Sequence, residues 1–309
     1  MTQVLYWCLL DEQPHHLVAP AAIAAQPTGG LVLDPDCRFS WRGQHHADAL
    51  DQVASFLPAS CVAWVPDACT GATWPYWVGY RCLDSLVALS AGAAVEALAP
   101  DLRWVLAQAG ILARASTIAA RRREAARRAA WIRQQMRRGF AVLEALVPPF
   151  HIAAMRRYYR QCVRAGVMHL GDGQVDRRYV AHNEPVARFV QRQLTRVVSA
   201  VVGHEVKPSY AYVAAYQGGA ALERHTDRPQ CQYTLSICID NVPETSGPCP
   251  WSLNLDVDGR TLCVLQRLGA GLLFRGRRIV HHRDRLAANA SVTTLLLHYV
   301  DADFAGGLD

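Results

Sequence analysis

Two side chains that can hold a metal ion, His225 and Asp227, stand two positions apart in the second half of the sequence. Residues at i and i+2 of an extended strand project from the same face, so this imidazole and this carboxylate can reach one ion. One more histidine would complete a set of two imidazoles and one carboxylate, which occupies one face of the ion and leaves three coordination positions open. The spacing therefore predicts a metal site at the end of a strand.

The third ligand must come from a distant strand that folds back beside the first. The segment Ile279–His282 is predicted to be such a strand, and it carries two adjacent histidines, His281 and His282. Either one would complete the two-histidine, one-carboxylate set that non-haem Fe(II) oxygenases use. His298 lies in an otherwise apolar strand, and we expect it to be a core histidine.

The elements around these residues are helices followed by strands. Helices are predicted over Phe150–Arg164 and Glu184–Val202, the second with Pro185 in its first turn, where proline is tolerated. After Pro208, short runs rich in β-branched and aromatic residues are separated by Gly, Pro and Asp, a pattern typical of a β-sandwich or barrel. The other predicted strands are Tyr210–Tyr216, Tyr233–Ile239, Trp251–Val257, Thr261–Leu265, Gly271–Phe274 and Ser291–Val300.

Residues 1–115 carry no motif with recognisable chemistry, and their short apolar segments and turn formers predict a smaller N-terminal α+β domain. The aromatic stretch Trp74–Tyr80 is expected to lie in its core or at an interface. The predicted elements are strands at Val4–Leu10 and Gly30–Leu33 and helices at Leu83–Leu98 and Leu102–Ala113.

Residues 116–145 predict a basic linker that begins as a long helix, Ser116–Arg138, rich in arginine and alanine. A basic helix can bind phosphate backbones or anionic lipid. Aromatic side chains that could stack on bases are scarce here, however. We therefore interpret the segment as a solvated linker and do not expect nucleic acid as a partner, despite a net charge of +6.

Length and composition indicate a globular protein of two domains, with 309 residues, of which 51% are hydrophobic and 19% charged. No apolar run approaches the length of a membrane span. Met1–Pro14 has no basic segment before its apolar residues, which argues against a secretory signal and favours a cytoplasmic location. The 10 cysteines contain no C-x2-C pair, so we expect small buried side chains and no zinc site.

The order of these features resembles a known family. The pattern Tyr216-x8-His225-x-Asp227, then Thr234–Asp240, His281 and Leu295–Val300, is similar to the 2-oxoglutarate/Fe(II)-dependent dioxygenases, and most of all to their prolyl-hydroxylase-like branch. The resemblance implies an α+β fold in which residues 146–309 form a double-stranded β-helix, or jelly roll, with flanking helices. In similar sequences an aromatic residue follows the distal histidine, which favours His281 over His282.

The resemblance also implies a reaction. Fe(II), held by His225, Asp227 and His281, would bind the cosubstrate 2-oxoglutarate and O2. The cosubstrate would be converted to succinate and CO2 while an unactivated C–H bond is hydroxylated in a small molecule, an amino acid or a peptide side chain. The carboxylate of Asp227 argues against halogenation, since related halogenases have a small residue at that position.

One feature of the family is missing. Its members commonly place an arginine or lysine beyond the distal histidine to bind the far carboxylate of 2-oxoglutarate, but Asn289–Thr293 contains no basic residue. A buried carboxylate needs a cation or several donors. Arg283 is the first candidate, ahead of Arg275 and Arg228. Hydroxyl groups that could assist are those of Tyr216, Ser291 and Thr293. The missing anchor leaves open a second hypothesis, a jelly-roll metal-binding or scaffold protein without turnover.

Overall fold

The computed structural model describes Tyr6 and residues 8–10, 30–41, 61–67 and 70–309, and contacts divide the chain into two compact units. One contains the described part of Trp7–Arg128, and the other contains Ala129–Asp309 together with Tyr6. A helix, Ala115–Met136, crosses the boundary between them. The domain boundaries predicted from the sequence, after residues 115 and 145, stay a prediction.

The unit Trp7–Arg128 contains two antiparallel sheets among its described residues. In one, β1 (Leu31–Leu33) pairs with β5 (Leu112–Arg114). In the other, the order is β2 (Arg38–Trp41), β3 (Cys61–Pro66) and β4 (Thr73–Val78). The aromatic stretch falls on β4, where Trp74, Tyr76 and Trp77 are buried. The helices are α1 (Tyr80–Ser90), a short 3-10 helix (Val95–Ala97), α2 (Pro100–Gln108) and the first part of α3 (Ala115–Met136).

Glycines end both predicted helices of this unit earlier than expected. Gly92 and Gly110 have φ angles of 93° and 81°, the left-handed conformation that closes a helix. The helix prediction for Leu102–Ala113 is therefore wrong at its end, where β5 begins. The strand at Gly30–Leu33 is confirmed as β1. The strand predicted at Val4–Leu10 lies largely outside the described residues.

The unit Ala129–Asp309 packs two antiparallel sheets against each other. Its helices are α4 (Pro149–Arg164) and α5 (Pro185–Val202), both as predicted. The strands are β6 (Phe140–Leu143), β7 (His169–Leu170), β8 (Arg178–His182), β9 (Val206–Gln217), β10 (Leu222–His225), β11 (Tyr233–Val242), β12 (Leu253–Val257), β13 (Arg260–Val264), β14 (Gly271–Phe274), β15 (His281–Arg283) and β16 (Ser291–Asp301). Seven form one sheet in the order β6-β14-β11-β16-β9-β8-β7, and four form the other in the order β10-β15-β12-β13.

A continuous apolar layer lies between the two sheets. Leu253 and Leu255 of β12 pack with Leu272 and Phe274 of β14, and all four are buried. The opposite face of the larger sheet is covered by α5, where the Tyr299 hydroxyl donates to a backbone carbonyl of the helix at 2.9 Å. The predicted α+β class with antiparallel sheets is confirmed for the described residues. Closure of the two sheets into a double-stranded β-helix stays a prediction.

Four strands of this unit, β6, β7, β8 and β10, were not among the predicted ones. β6 lies inside the predicted linker, yet it pairs with β14 at the edge of the sheet. β7 has only two residues, β8 begins with Arg178 and ends with His182, and β10 carries Glu223 and Arg224 at adjacent positions, so none shows the apolar periodicity of a strand. The strand predicted at Ile279–His282 is shifted to His281–Arg283, so Arg283 belongs to it. Within the described residues, no helix is long and apolar enough to cross a membrane.

Hydrogen bonds of the Glu184 side chain link α5 to α4. Its carboxylate accepts hydrogen bonds from the backbone N–H groups of Val186 and Ala187, at 3.0 Å each, and from the hydroxyls of Tyr158 (2.7 Å) and Tyr159 (2.9 Å). The carboxylate is buried, so it satisfies two free donors of the helix and two phenols in one place.

We predict that Glu184→Ala lowers the free energy of unfolding by about 3 kcal/mol, because the two buried phenols lose a charged acceptor. Urea denaturation of both variants measures the effect. Glu205→Ala, an exposed glutamate, is the control and should change the free energy by less than about 0.5 kcal/mol. Equal effects of the two substitutions would contradict this role.

Candidate metal centre and cavity

The pairing of β10 with β15 brings the two histidines of the predicted set together. His225 lies opposite His281 in the antiparallel register, with their ring centroids 4.3 Å apart. Asp227 follows the end of β10, and its backbone N–H donates to the carbonyl of Gly276 at 2.9 Å. The carboxylate is thereby held on the same side as the two imidazoles.

The side chains are oriented as metal ligands. Asp227 Oδ1 is 3.8 Å from Nε2 of His225 and 3.5 Å from Nε2 of His281. Each Nδ1 lies near a backbone carbonyl, that of Glu223 at 2.8 Å for His225 and that of Ile279 at 3.0 Å for His281. Donation from Nδ1–H to these carbonyls leaves each Nε2 with a free lone pair, and the three ligand atoms lie within 4.8 Å of one another.

Burial distinguishes the two adjacent histidines of β15. His281 is buried, and burial lowers its pKa, an effect that Asp227 opposes, so the neutral ring that a metal requires is favoured. His282 projects to the other face of the strand, where its Nε2 lies 3.3 Å from the Asn254 amide. The structure therefore brings His281, and not His282, to His225 and Asp227.

A cavity of about 320 Å³ opens beside the three ligands. Its buried wall contains Tyr216, Ser236 and Arg283, and its partly exposed wall contains Tyr210 and Tyr212. Ser236 Oγ is buried and has no hydrogen-bond partner among the described residues. The cavity thus joins the candidate ligands to a buried guanidinium and a buried hydroxyl.

Arg283 is the most unusual residue of this wall. It is only 5% exposed, Nη1 donates to the Trp251 carbonyl at 2.9 Å, and the guanidinium lies 4.6 Å from the centroid of the Trp251 ring. None of the ion pairs of the described residues involves it. Burial lowers the pKa of Arg283, although a guanidinium remains charged. A buried cation without an anion is costly, so this position calls for an anionic ligand.

Arg178, the second buried arginine of the cavity, is by contrast neutralised within the protein. It lies 2.5 Å from Asp172 and donates through Nη1 to the Tyr216 hydroxyl at 3.0 Å. Burial raises the pKa of Asp172, but hydrogen bonds from Tyr212, from two backbone N–H groups and from Arg178 outweigh it and bring the pKa to about 2. This arginine therefore holds Asp172 and Tyr216 in place and is not a free cation.

Of the other candidates for binding the far carboxylate of 2-oxoglutarate, some line the cavity and some do not. Tyr216 lines the cavity, and Arg228 lies at its exposed edge. Thr293 is not among the lining residues; it pairs with Ala215 and alternates to the strand face opposite Leu296, which does line the cavity. Ser291 and Arg275 are also absent from the lining.

Thr234 and His298 are lining residues that the sequence reasoning missed. His298, expected to be a core histidine, is buried but lies 3.1 Å from Thr234 through Nδ1, and Thr234 Oγ1 donates to Asp227 Oδ2 at 2.5 Å. The alternation of side chains along the last strand could have indicated this, since His298 and Leu296 are two residues apart and share the inward face.

No family model matches the chain, and no curated protein matches it. The chain is similar in structure to 2-oxoglutarate/Fe(II) oxygenases, prolyl hydroxylases among them, over little more than half of its length. One neighbour is the non-haem α-ketoglutarate-dependent epimerase SnoN of nogalamycin biosynthesis (12% identity, TM-score 0.48, 56% of this chain and 81% of that chain).

Two further neighbours are a Pseudomonas putida prolyl-4-hydroxylase (13% identity, TM-score 0.46, 56% and 98% of the two chains) and AviO1 from Streptomyces viridochromogenes Tue57 (21% identity, TM-score 0.46, 58% and 97%). The neighbours include 2-oxoglutarate/Fe(II) oxygenases and a prolyl hydroxylase, the family and branch that the sequence resembles. All three TM-scores lie below 0.5, so the function proposed below rests on the geometry of the site.

Any side chain at position 276 is predicted to displace the Asp227 carboxylate. A Cβ built there would overlap Asp227 Oδ2 and lie 2.7 Å from both the Cys231 carbonyl and Thr234 Oγ1. We expect Gly276→Ala to displace Asp227, weaken metal binding at least about tenfold and destabilise the fold by about 1–3 kcal/mol. Calorimetric metal titration and urea denaturation measure the two effects. Gly247→Ala, where a Cβ meets nothing, is the control; unchanged metal binding in Gly276→Ala would refute the steric argument.

His298 is predicted to make stability depend on pH. Burial lowers its pKa to about 4 from the ordinary value of 6.5, so between these pH values the unfolded chain binds a proton that the folded chain does not. The contribution of the neutral His298 ring to the free energy of unfolding is fully present above pH 6.5 and is lost as the pH falls towards 4. In His298→Asn, the plot of unfolding free energy against pH should be shallower by up to about 1.4 kcal/mol per unit in this window. Parallel plots would contradict the prediction.

Proposed function

We propose that this protein is an Fe(II)- and 2-oxoglutarate-dependent oxygenase that hydroxylates a C–H bond of a small molecule, an amino acid or a peptide side chain. The observation that carries the proposal is the buried guanidinium of Arg283, which has no acidic partner among the described residues and lines the same cavity as His225, Asp227 and His281. A metal would account for the last three residues, and an anion bound beside that metal would account for Arg283, whose electrostatic neighbours in the protein are the Tyr216 phenol and the Cys238 and Cys249 thiols.

The donor set fits Fe(II). Two neutral imidazoles and one carboxylate oxygen, without a thiolate, form the facial set of non-haem iron oxygenases and leave positions for a bidentate cosubstrate and O2. When bound, the metal supplies the oxidation in which O2 and 2-oxoglutarate convert R–H to R–OH, with succinate and CO2 as the other products. The protein contributes neutral rings whose tautomers are fixed by backbone carbonyls.

Charge favours a dicarboxylate as the second ligand. A divalent ion bound to Asp227 retains one net positive charge, and Arg283 adds another within the same water-poor cavity. A dianion such as 2-oxoglutarate balances both charges, with its keto acid at the metal and its far carboxylate at Arg283. The Ser236 hydroxyl, which has no hydrogen-bond partner among the described residues, could donate to the same carboxylate.

The partly exposed wall supports a substrate position on the open side of the metal. Tyr210, Tyr212 and His182 line this side and offer aromatic faces together with hydroxyl and imidazole groups. Such a surface orients a polar organic molecule or side chain by contact and hydrogen bonding.

We also propose that the two packed sheets form the double-stranded β-helix that the sequence resemblance implies. Their face-to-face packing through β12 and β14 supports this arrangement. Residues 1–115 would then be a separate N-terminal α+β domain, joined through the basic linker of residues 116–145.

We predict that Asp227→Ala abolishes Fe(II) binding while the protein stays folded, because two imidazoles alone do not complete the facial set. Anaerobic calorimetry with Fe(II) measures binding, and circular dichroism checks the fold. Iron retained at full stoichiometry in this variant would remove the metal assignment.

We predict that Arg283→Gln weakens 2-oxoglutarate binding to the metal-loaded protein at least about 30-fold, equivalent to about 2 kcal/mol for a lost buried charge pair, while metal affinity stays unchanged. Anaerobic titration with Fe(II) and 2-oxoglutarate follows the visible charge-transfer band of the chelate. Arg285→Gln, an exposed arginine two positions further on, is the matched control. The band should be absent in His225→Ala.

If wild-type protein binds Fe(II) but never develops the band, the oxygenase proposal fails and a metal-binding or scaffold protein without turnover is the better account. If the band develops equally in Arg283→Gln, the cosubstrate binds but its anchor lies elsewhere.

A further inference from the structure

The two oxygens of Asp227 have different surroundings. Oδ1 faces the Nε2 atoms of His225 and His281. Oδ2 points away from them and accepts a hydrogen bond from Thr234 Oγ1 at 2.5 Å. Short hydrogen bonds to an ionised carboxylate are the strong ones, so Oδ2 is firmly held in this position.

The position of the hydroxyl proton also fixes the direction of the hydrogen bond between Thr234 and His298. A threonine hydroxyl carries one proton, and the Thr234 proton is directed to Asp227. His298 Nδ1, at 3.1 Å from Thr234 Oγ1, must therefore donate its own proton to that oxygen. The two contacts form a directed hydrogen-bonded chain that runs from His298 through Thr234 to Asp227.

The chain is anchored in the rigid part of the fold. Thr234 and His298 are register partners on adjacent strands β11 and β16 of the larger sheet, and both are buried. The amide of Gln191 on α5 donates to the carbonyl of His298 at 2.7 Å. Thr234 and His298 thus belong to the sheet, whereas Asp227 follows the end of β10, so the hydrogen-bonded chain ties the carboxylate to the sheet.

Building on the proposed function, we propose that Thr234 and His298 are positioning residues that keep Asp227 a one-oxygen ligand of the metal. A carboxylate that used both oxygens would occupy one of the three positions needed for a bidentate cosubstrate and O2. With Oδ2 held by Thr234, Oδ1 is the oxygen that faces the two imidazoles. The hydrogen-bonded chain therefore preserves the open positions as well as metal affinity.

A competing assignment uses the same residues differently. Ligand atoms of Asp227, Cys231 and His298 also lie within 4.8 Å of one another and could share an ion. In the structure, however, His298 Nδ1 is bonded to Thr234, and Cys231 Sγ lies 3.1 Å from the Tyr210 hydroxyl. These contacts favour the positioning role, and a direct thiolate–metal bond would refute it.

The test measures Co(II) affinity, and then 2-oxoglutarate affinity of the Co(II)-loaded protein, by calorimetry. Thr234→Val keeps the shape of the side chain and removes the hydroxyl, while Thr234→Ser restores it. His298→Leu removes the donor, while His298→Asn retains an N–H near Nδ1. Thr294→Val is the matched control, because that buried hydroxyl has no hydrogen-bond partner among the described residues.

We expect Thr234→Val and His298→Leu to bind Co(II) about 10- to 100-fold more weakly, the usual effect of losing an outer-shell partner. Once loaded at high Co(II), they should also bind 2-oxoglutarate more weakly. Thr234→Ser and His298→Asn should recover most of both affinities, and Thr294→Val should match wild type. Circular dichroism of the metal-free variants verifies folding, and if one of Thr234→Val and His298→Leu misfolds, the other carries the test.

Two results would overturn the inference alone. One is wild-type Co(II) and 2-oxoglutarate affinity in Thr234→Val; the other is a cobalt–thiolate absorption band in wild type that disappears in Cys231→Ser. If wild-type protein shows no Co(II) binding that depends on His225, the proposed function itself is wrong and the inference falls with it.

Discussion

The register between β10 and β15 is the constraint on which the site depends. It sets His225 opposite His281, and because side chains alternate along a strand, a shift by one residue would turn one of the rings away. Beyond a β-bulge between Leu222 and His225, the same strand pair places Leu222 opposite Arg283, so this pairing positions the candidate anchor as well as two ligands. The turn after β14 then supplies the carbonyl of Gly276 that holds Asp227 beside them.

The buried charged groups of the unit Ala129–Asp309 are of two kinds. Arg178 and Asp172 neutralise each other and are further held by tyrosine hydroxyls, so they need nothing from outside. Arg283 has a carbonyl, an aromatic ring and two thiols as neighbours but no carboxylate among the described residues, and Asp227 has one oxygen facing two imidazoles. Asp227, Ser236 and Arg283, whose polar groups the fold leaves incomplete, line one cavity, whereas Arg178 and Asp172 beside them are paired with each other. This contrast distinguishes a ligand site from an ordinary network of buried polar residues.

Local spacing in the sequence was enough to predict the strands that carry long alternating apolar runs, and the His-x-Asp pattern with a later histidine indicated the three residues that meet. β10 could not be predicted, because Leu222–His225 is mostly polar and becomes a strand only by pairing with β15. The roles of Thr234 and His298 depend on contacts between distant strands, which no local pattern contains. Thr293 failed as a contact because strand parity, and not distance along the chain, decides which side chains face the cavity.

The position of Arg283 on the same strand as His281 has a consequence for size. Two residues of one strand are separated by roughly 6.7 Å along the backbone, and neither can move without the other. Under the proposed function, the distance between the metal and the guanidinium is then fixed by this strand and by the Trp251 carbonyl and ring that hold the Arg283 side chain. Diacids that are one carbon shorter or longer would place their second carboxylate at the wrong distance from Arg283. The strand would therefore make the site selective for the length of the dicarboxylate.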